Sequence, residues 1–292
     1  MSVGWKEDGF AIVGGDLRQV YAGAFLREKG YEVRSYGLAE GKKQAGSLKE
    51  ALEGAKTVLA PIPLSADRKY LNQKSGNPPI SLEQLIESLE SGQEFFGGCV
   101  PEWFSEEAGR KGVRVTDLMR REEIALYNTI ATAEGAVAEA VRKSPRNLRG
   151  SACLVLGYGR CAQTLASCLR GMGGRVSICV RNPVQRARAA VFAERAFLME
   201  ELGEILPKFS FIFNTVPAVI LNRELLARVS PSACMFDLAS APGGIDFEAA
   251  EELGASAWLL PGLPGRYAPA SSAEALVDFI LNERNGGEFL CH

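Results

Sequence analysis

The sequence predicts an α/β fold with two Rossmann-like parallel-sheet domains joined by a long helix, and three observations support this prediction. The 292 residues exceed what one typical domain needs. A strand, a glycine turn, a helix and a second strand follow one another twice, over residues 10–37 and 152–182. An alanine-rich helical stretch at residues 120–143 lies between the two repeats. Parallel sheets with right-handed helical crossovers produce this alternation.

The first half continues to alternate after its opening strand, which ends in glycines at Gly14 and Gly15. Ser81 precedes an apolar-periodic stretch and is predicted to cap a helix. We therefore expect a first, substrate- or partner-binding domain over residues 1–118. Its expected strands cover residues 10–15, 31–37, 56–63, 93–100 and 113–118, and its expected helices cover residues 16–30, 81–90 and 101–112.

A bridging helix is expected within residues 119–149, because Pro145 and Gly150 mark a break after the helical stretch. The second domain is expected over residues 150–270. Residues 271–292 are expected to form a C-terminal helix and tail, capped by Ser271 or Ser272, which could pack back on the first domain. The strands expected late in the second domain are 209–218, 233–240 and 255–265.

Composition and residue usage exclude several classes of function. The formal net charge of −2 builds in no attraction to nucleic acid or to an anionic membrane, and no apolar stretch is long enough to cross a bilayer. We therefore expect a cytoplasmic protein. Seven cysteines without a CxxC pair are expected to be reduced. The one histidine, His292, disfavours His-based triads and metal sites, so we predict no metal site and expect proton transfer by another group or water.

The stretch "LVLGYGRCA" carries a glycine fingerprint in the context that a dinucleotide site requires. Gly157, Gly159 and Ala162 follow a strand and open a helix. Glycines there let the backbone approach a pyrophosphate, which the helix N-terminus then binds. The alternative is a tight packing turn, but the βαβ context favours a cofactor. The other residues expected to contact it are Tyr158, Arg160 and Cys161.

The end of the following strand predicts NADP rather than NAD. An NAD site usually places an acid there, whereas this chain reads "CVRNPVQRAR". Arg181 and Asn182 are the expected contacts to a 2′-phosphate. Arg186 is a further candidate, although Arg186 and Arg188 could equally be solvated helix residues.

Two later strand ends are predicted to complete the cofactor site. "NTVP", Asn214–Pro217, could hydrogen-bond the nicotinamide ribose or amide through Asn214, Thr215 and Val216, with Pro217 stiffening the loop; the alternative is a plain turn. Asp237 and Leu238 end the next strand. Asp237 could instead orient other residues.

Several strings together resemble the A subunit of dipicolinate synthase over residues 10–285. The resemblance implies a role in spore formation, with oxidation of dihydrodipicolinate to dipicolinate by this chain together with a flavoprotein-like second subunit. Arg266 departs from the lysine expected in the last motif. The strings are "IVGGDLRQ", "TDLMRREEIALYNTIATAEGAV", "LVLGYGRCAQTLA", "FDLASAPGG" and "PGLPGRYAP".

A dicarboxylate substrate, which the resemblance implies, needs cationic or N–H-rich anchors. Arg18 lies at a helix start just after a strand, and Arg266 is expected at a strand end. Glu134 is the candidate base. The alternatives are that Arg18 is an ordinary first-turn residue and Glu134 a solvated carboxylate. Asn128 and Thr132 are the further substrate candidates on the bridging helix.

Other functions stay open from the sequence. "VRN" and "NTVP" would also suit an NADP-dependent oxidoreductase of the shikimate dehydrogenase type. A non-catalytic scaffold protein that binds NADP is a further alternative, and homo-oligomerisation is possible.

Overall fold

The computed structural model describes residues 9–38, 44–74 and 78–285. The chain divides into two compact units, of which the first comprises Met1–Tyr127 with Ala268–His292 and the second Asn128–Tyr267. Each is a parallel-sheet α/β unit, so the predicted fold class is confirmed. His292 lies outside the described residues.

In the described part of the first unit, five strands form a parallel sheet in the order β2-β1-β3-β4-β5. The strand order reverses between β1 and β3, which is the point where open parallel sheets bind ligands. Its core includes the fully buried side chains of Phe10, Phe95, Phe96 and Phe104. The strands are β1 (Phe10–Val13), β2 (Val33–Tyr36), β3 (Thr57–Leu59), β4 (Glu94–Gly97) and β5 (Arg114–Asp117).

Helices cover this sheet in the positions that the sequence predicted, with one short helix in addition. The Ser81 hydroxyl accepts a hydrogen bond from the Gln84 N–H at 3.1 Å, as expected for the cap of the third helix. The short helix over Leu48–Leu52 was not predicted, because five residues carry little periodicity. The helices are α1 (Leu17–Glu28), α2 (Leu48–Leu52), α3 (Leu82–Ser88) and α4 (Glu102–Arg110).

The long helix α5 (Glu122–Lys143) lies inside the bridging segment expected over residues 119–149 and contributes to both units. The boundary between the units falls inside the helix, after Tyr127. Ile124 packs in the core of the first unit, whereas Ala133 packs in the core of the second. The helix ends before Pro145, as predicted.

Across residues 128–267, all of which the structure describes, six strands form a parallel sheet in the order β11-β10-β9-β6-β7-β8. This is the doubly wound order of dinucleotide-binding domains, and the order reverses between β6 and β9. The strands are β6 (Ala152–Leu156), β7 (Arg175–Val180), β8 (Arg195–Leu198), β9 (Phe211–Asn214), β10 (Cys234–Asp237) and β11 (Ser256–Leu259).

Three stacked aromatic rings lie in a row across neighbouring strands of this sheet. The ring centroids of Phe213 and Phe236 lie 5.2 Å apart, and those of Phe236 and Trp258 lie 5.3 Å apart. The last predicted strand is too long, because a helix begins at Leu263 within it. The helices of this unit are α6 (Arg160–Gly171), α7 (Pro183–Ala190), α8 (Leu202–Ile205), α9 (Arg223–Leu226), α10 (Phe247–Glu252) and α11 (Leu263–Tyr267).

The C-terminal helix α12 (Pro269–Asn285) returns to the first unit and packs against α1. Leu276 and Ile280 share a buried apolar cluster with Leu26 of α1. The helix starts at Pro269 rather than at the predicted serine caps, since proline suits a first turn and Ser272 is buried. Among the described residues, no helix combines the length and apolar character needed to cross a membrane.

Candidate nucleotide site

The first glycine of the fingerprint is required by the fold of the second unit itself. Gly157 follows β6 with φ +98°, a conformation that side chains disfavour. A Cβ at Gly157 would lie 2.7 Å from the Thr215 hydroxyl oxygen and 3.0 Å from a methyl carbon of Val216. The loop that follows β9 therefore closes directly over this glycine, at the point where the strand order reverses.

The second glycine is not required by the fold. Gly159 has an ordinary φ of −81°, and a Cβ placed there would have no heavy atom within 4 Å from residues beyond the adjoining backbone. Gly159 is the N-cap of α6. Because glycine has no side chain, no side-chain hydrogen bond caps the first N–H groups of that helix. A helix N-terminus carries partial positive charge and binds anions. The open space above Gly159 therefore fits a pyrophosphate.

The residues around this loop are neutral or basic. Burial raises the pKa of the Tyr158 phenol. Burial also raises the pKa of the Cys161 thiol, against the opposing charge of Arg160, so Cys161 stays protonated at neutral pH. Arg160 is exposed. The hydroxyls of Thr129 on α5 and Thr164 on α6 lie 2.7 Å apart and join the two helices near the loop.

The residues predicted to bind a 2′-phosphate differ in how many of their polar groups are already bound within the protein. Arg181 follows β7, is exposed, and has no ion-pair partner among the residues that the structure describes. Asn182 is the N-cap of α7, and its side-chain oxygen accepts the Gln185 N–H at 2.9 Å, which leaves its amide group as a donor. Arg186 lies 3.7 Å from the Glu201 carboxylate. Arg181 is therefore the best placed of the three.

Asn214 has a structural role instead of the predicted contact with the nicotinamide. Its side chain is fully buried. The amide nitrogen donates to Asp237 at 2.8 Å and to the Val216 carbonyl at 2.9 Å, and the amide oxygen accepts the Val216 N–H at 3.1 Å. Both hydrogens of the amide are used within the protein, so none remains for a ligand.

Asp237 is likewise fully buried, which corrects its predicted contact with the cofactor. Besides the Asn214 amide, its carboxylate accepts main-chain N–H groups of the loop that follows β10. The Thr215 hydroxyl is also committed, because it donates to the Leu156 carbonyl at 2.8 Å. Val216, Pro217 and Leu238 are partly or fully exposed, and their contact with a cofactor stays a prediction.

Arg18, the predicted substrate anchor of the first unit, already has a carboxylate partner within the protein. It is 5% exposed, and its Nε and Nη2 atoms donate to the Asp16 carboxylate at 3.0 and 2.9 Å. It also donates to the Ile62 carbonyl in the loop after β3. Burial would raise the pKa of Asp16, but the hydrogen bonds and charge of Arg18 lower it below its ordinary value. The reason is local, since Asp16 caps α1 and offers a carboxylate within one turn.

The three substrate candidates on α5 are not equivalent. The Thr132 hydroxyl donates to the Asn128 carbonyl at 2.9 Å, a bond within the helix that uses the hydroxyl hydrogen. The Asn128 side chain is half-buried, and Glu134 is exposed. The roles of Asn128 and Glu134 stay predictions.

Arg266 lies in α11 rather than at a strand end, and it binds a carboxylate that the sequence analysis missed. The side chain of Glu139 is 1% exposed and lies 2.7 Å from Arg266 and 2.6 Å from Arg142. Tyr267 donates to the same carboxylate. Glu139 and Arg142 have the spacing of a helix-surface pair, but the sequence could not show that Arg266 and Tyr267 reach them. Arg266 is therefore committed within the second unit.

The Glu139 cluster predicts a pH-dependent loss of stability. Burial alone would raise the pKa of Glu139. Hydrogen bonds from Tyr267 and Arg142 and the positive charge of Arg266 have the larger effect, so the pKa lies below its ordinary value. Because the folded pKa is depressed, the stabilisation is complete above the ordinary carboxyl pKa of about 4.3 and is lost as pH falls through the lower folded value.

Glu139→Gln should therefore reduce the free energy of unfolding by about 1 kcal/mol at neutral pH, since the arginines are partly exposed. In urea titrations, the difference from wild type should shrink as the pH falls below about 4.3. A difference that is the same at neutral and acidic pH would contradict the charge-based explanation.

Comparisons with known proteins bear on the whole chain. Residues 9–119 match the family described as the N-terminal domain of the dipicolinate synthase A subunit. The chain is 28% identical to the A subunit of dipicolinate synthase from Bacillus subtilis (strain 168) over 278 residues, which cover 92% of this chain and 93% of that protein. The chain is thus similar to this dipicolinate synthase component along almost its entire length.

Solved structures agree with this resemblance. The crystal structure of the dipicolinate synthase A subunit from Bacillus halodurans has a TM-score of 0.83 and 26% identity, covering 95% of this chain and 98% of that one. The corresponding dipicolinate synthase structure from Bacillus subtilis has a TM-score of 0.81 and 25% identity, covering 98% of both chains. A transhydrogenase from Sinorhizobium meliloti, 18% identical with a TM-score of 0.67, covers 92% of this chain and 93% of that one and shares the fold. The resemblance predicted from the sequence is confirmed.

Proposed function

We propose that this protein is an NADP-dependent oxidoreductase that converts dihydrodipicolinate to dipicolinate together with a flavoprotein-like second subunit. The similarity to the A subunit of dipicolinate synthase supports the substrate and the partner. The observation that carries the cofactor assignment is the open space above Gly159 where the strand order reverses. A dinucleotide bound there would place its pyrophosphate against the first N–H groups of α6.

The choice of NADP rests on the strand end after β7. An NAD site would need an acid near Arg181 to bind the ribose 2′-hydroxyl, and the segment from Arg181 to Arg188 contains none. Arg181 is exposed and without an ion-pair partner among the described residues, so its guanidinium is available to a phosphate. The α7 N-terminus begins two residues later and adds a favourable dipole.

The protein groups have few chemical tasks in this reaction. Bound NADP⁺ would take the hydride that leaves the dihydropyridine ring, and aromatisation would release a proton. The chain must hold the dicarboxylate and accept that proton. We assign the proton to Glu134 or to a water beside it, because Glu134 is exposed and accepts no hydrogen bond from the described residues.

The test is a reconstituted reaction of this chain with freshly made dihydrodipicolinate and the candidate second subunit. Dipicolinate and NADPH should form in equal amounts, and NAD⁺ should replace NADP⁺ poorly. Turnover of shikimate instead would favour the shikimate-dehydrogenase type. A single-turnover reaction without the partner separates catalysis from scaffolding, because reduction of bound NADP⁺ there would show that this chain itself carries out the hydride transfer and would reject the scaffold role.

Arg18→Ala should raise the KM for dihydrodipicolinate several-fold, by about 1 kcal/mol, and leave the Kd for NADPH unchanged. Arg18 lies at the reversal point of the first sheet, and its bonds to Asp16 and Ile62 use Nε and Nη2, so among the described residues Nη1 is left to donate to a substrate carboxylate. Arg27→Ala on the same helix is the matched control, since Arg27 contacts the Val33 carbonyl at the opposite end of α1. A KM equal to wild type in folded Arg18→Ala would place the dicarboxylate elsewhere.

A further inference from the structure

Asp237 is a fully buried carboxylate that has no role in the proposed reaction. Asp237 is the last residue of β10 and lies in register with Asn214, the last residue of β9. Its oxygens accept four hydrogen bonds, one from the Asn214 amide at 2.8 Å and the others from main-chain N–H groups. Those are Ala239 at 3.0 Å, Gly244 at 2.7 Å and Ile245 at 3.2 Å.

No ion pair neutralises Asp237 within residues 128–267, all of which the structure describes. Burying a polar group costs free energy unless it is hydrogen-bonded, and the four hydrogen bonds of Asp237 offset that cost. A carboxylate can only accept hydrogen bonds, so it fixes the orientation of the groups that surround it. Every donor around Asp237 must therefore point at it.

Asn214 connects Asp237 to the loop after β9. Because Asp237 accepts only, the Asn214 amide nitrogen must face it, and the amide oxygen then faces the Val216 N–H. The second amide hydrogen reaches the Val216 carbonyl. Both main-chain polar groups of Val216 are thus bound by one side chain. A methyl carbon of Val216 would lie 3.0 Å from a Cβ at Gly157, so Val216 lies directly beside the first glycine of the fingerprint.

Two glycines leave no spare volume around this network. A Cβ at Gly244 would lie 2.1 Å from the Asn214 amide nitrogen. A Cβ at Gly243, where φ is +85°, would lie 2.9 Å from an Asp237 oxygen. Any side chain at either position would displace the network that joins the two loops.

The sheet order indicates which half of a dinucleotide these loops face. The pyrophosphate site is at the end of β6, and Arg181 places the adenosine half on the β7 side. The nicotinamide half then extends toward β9 and β10. We propose that Asp237 is a positioning residue that acts through Asn214 to hold the loops after β9 and β10 in the shape that receives the nicotinamide. This proposal rests on the proposed function as an NADP-binding oxidoreductase.

The test compares the whole cofactor with its adenosine half. Wild type, Asp237→Asn and Gly244→Ala would each be titrated with NADPH, followed by nicotinamide fluorescence, and with adenosine 2′,5′-bisphosphate, followed by calorimetry. The expected result is a Kd for NADPH that rises at least about tenfold in both variants, with a Kd for the bisphosphate within about twofold of wild type. Asp246→Asn, which alters the cap of α10, is the matched control and should bind both ligands normally.

The outcomes separate this proposal from the one on which it rests. Failure of the wild type to bind either ligand would reject the cofactor assignment itself. If wild type binds both, a parallel loss of both ligands in the variants, or unchanged NADPH binding, would overturn the positioning role. If Asp237→Asn does not fold, Gly244→Ala decides, because it keeps the carboxylate. Loss of the folded state in both variants would also overturn the proposal, since the network would then serve the core of the unit.

Discussion

Gly159→Val is expected to weaken NADPH binding by on the order of 100-fold while the protein stays folded. The valine side chain would enter the space above the α6 N-terminus, where the added Cβ has no neighbour within 4 Å beyond the adjoining backbone. The folded protein can accommodate the side chain there, whereas a bound pyrophosphate cannot. Calorimetric titration with NADPH, alongside a thermal unfolding curve, measures the two effects separately.

Gly171→Val is the matched control for this variant. Gly171 is the last residue of the same helix, and a Cβ there also has no neighbour within 4 Å. It should bind NADPH as wild type does, because it lies at the end of α6 that is far from the glycine loop. Normal NADPH binding by folded Gly159→Val would mean that the fingerprint is a packing turn without a ligand.

Arg181→Ala should weaken NADP binding by about 1.5–3 kcal/mol, the range for a hydrogen bond to a charged group. Binding of NAD should hardly change, since NAD has no 2′-phosphate for the guanidinium to bind. The Kd values of both cofactors for both proteins, measured at one ionic strength, give the selectivity directly.

Arg188→Ala provides the comparison for Arg181. Arg188 is exposed on α7 and, among the described residues, has no ion pair, so its removal takes away one positive charge from the same region. An equal weakening in the two variants would indicate a general electrostatic effect rather than recognition by Arg181. Tighter binding of NAD than of NADP by the wild type would reject the assignment altogether.

The two glycine turns look alike in the sequence and differ in the structure. A Cβ at Gly14 would lie 2.7 Å from a Leu71 methyl carbon, and one at Gly15 would lie 2.3 Å from the Gln19 side-chain oxygen. The Gly15 N–H donates to the Asn72 carbonyl at 2.8 Å. The chain itself therefore fills the space at the first turn, whereas the space above Gly159 is open. Neither Leu71 nor Asn72 is near these glycines in sequence, so the pattern alone could not separate the two turns.

Local patterns predicted the architecture well. The strand–glycine–helix alternation, the Ser81 cap and the break at Pro145 each depend on residues within a few positions of one another, and each is found in the structure. Short elements such as α2 and α11 carry too little periodicity to be predicted. Residue types also limited the proposed chemistry, because this sequence has one histidine and the proton transfer that we propose would use another group.

The availability of each side chain depended on partners that are distant in the sequence. Asn214 is saturated by Asp237 and Val216, and Arg266 is held by Glu139. A sequence pattern shows that a polar residue follows a strand, but not whether another chain segment has already taken its hydrogen bonds. Because a hydrogen-bonding group in the interior must be satisfied by whatever packs beside it, its role is settled by the folded contacts and not by its residue type.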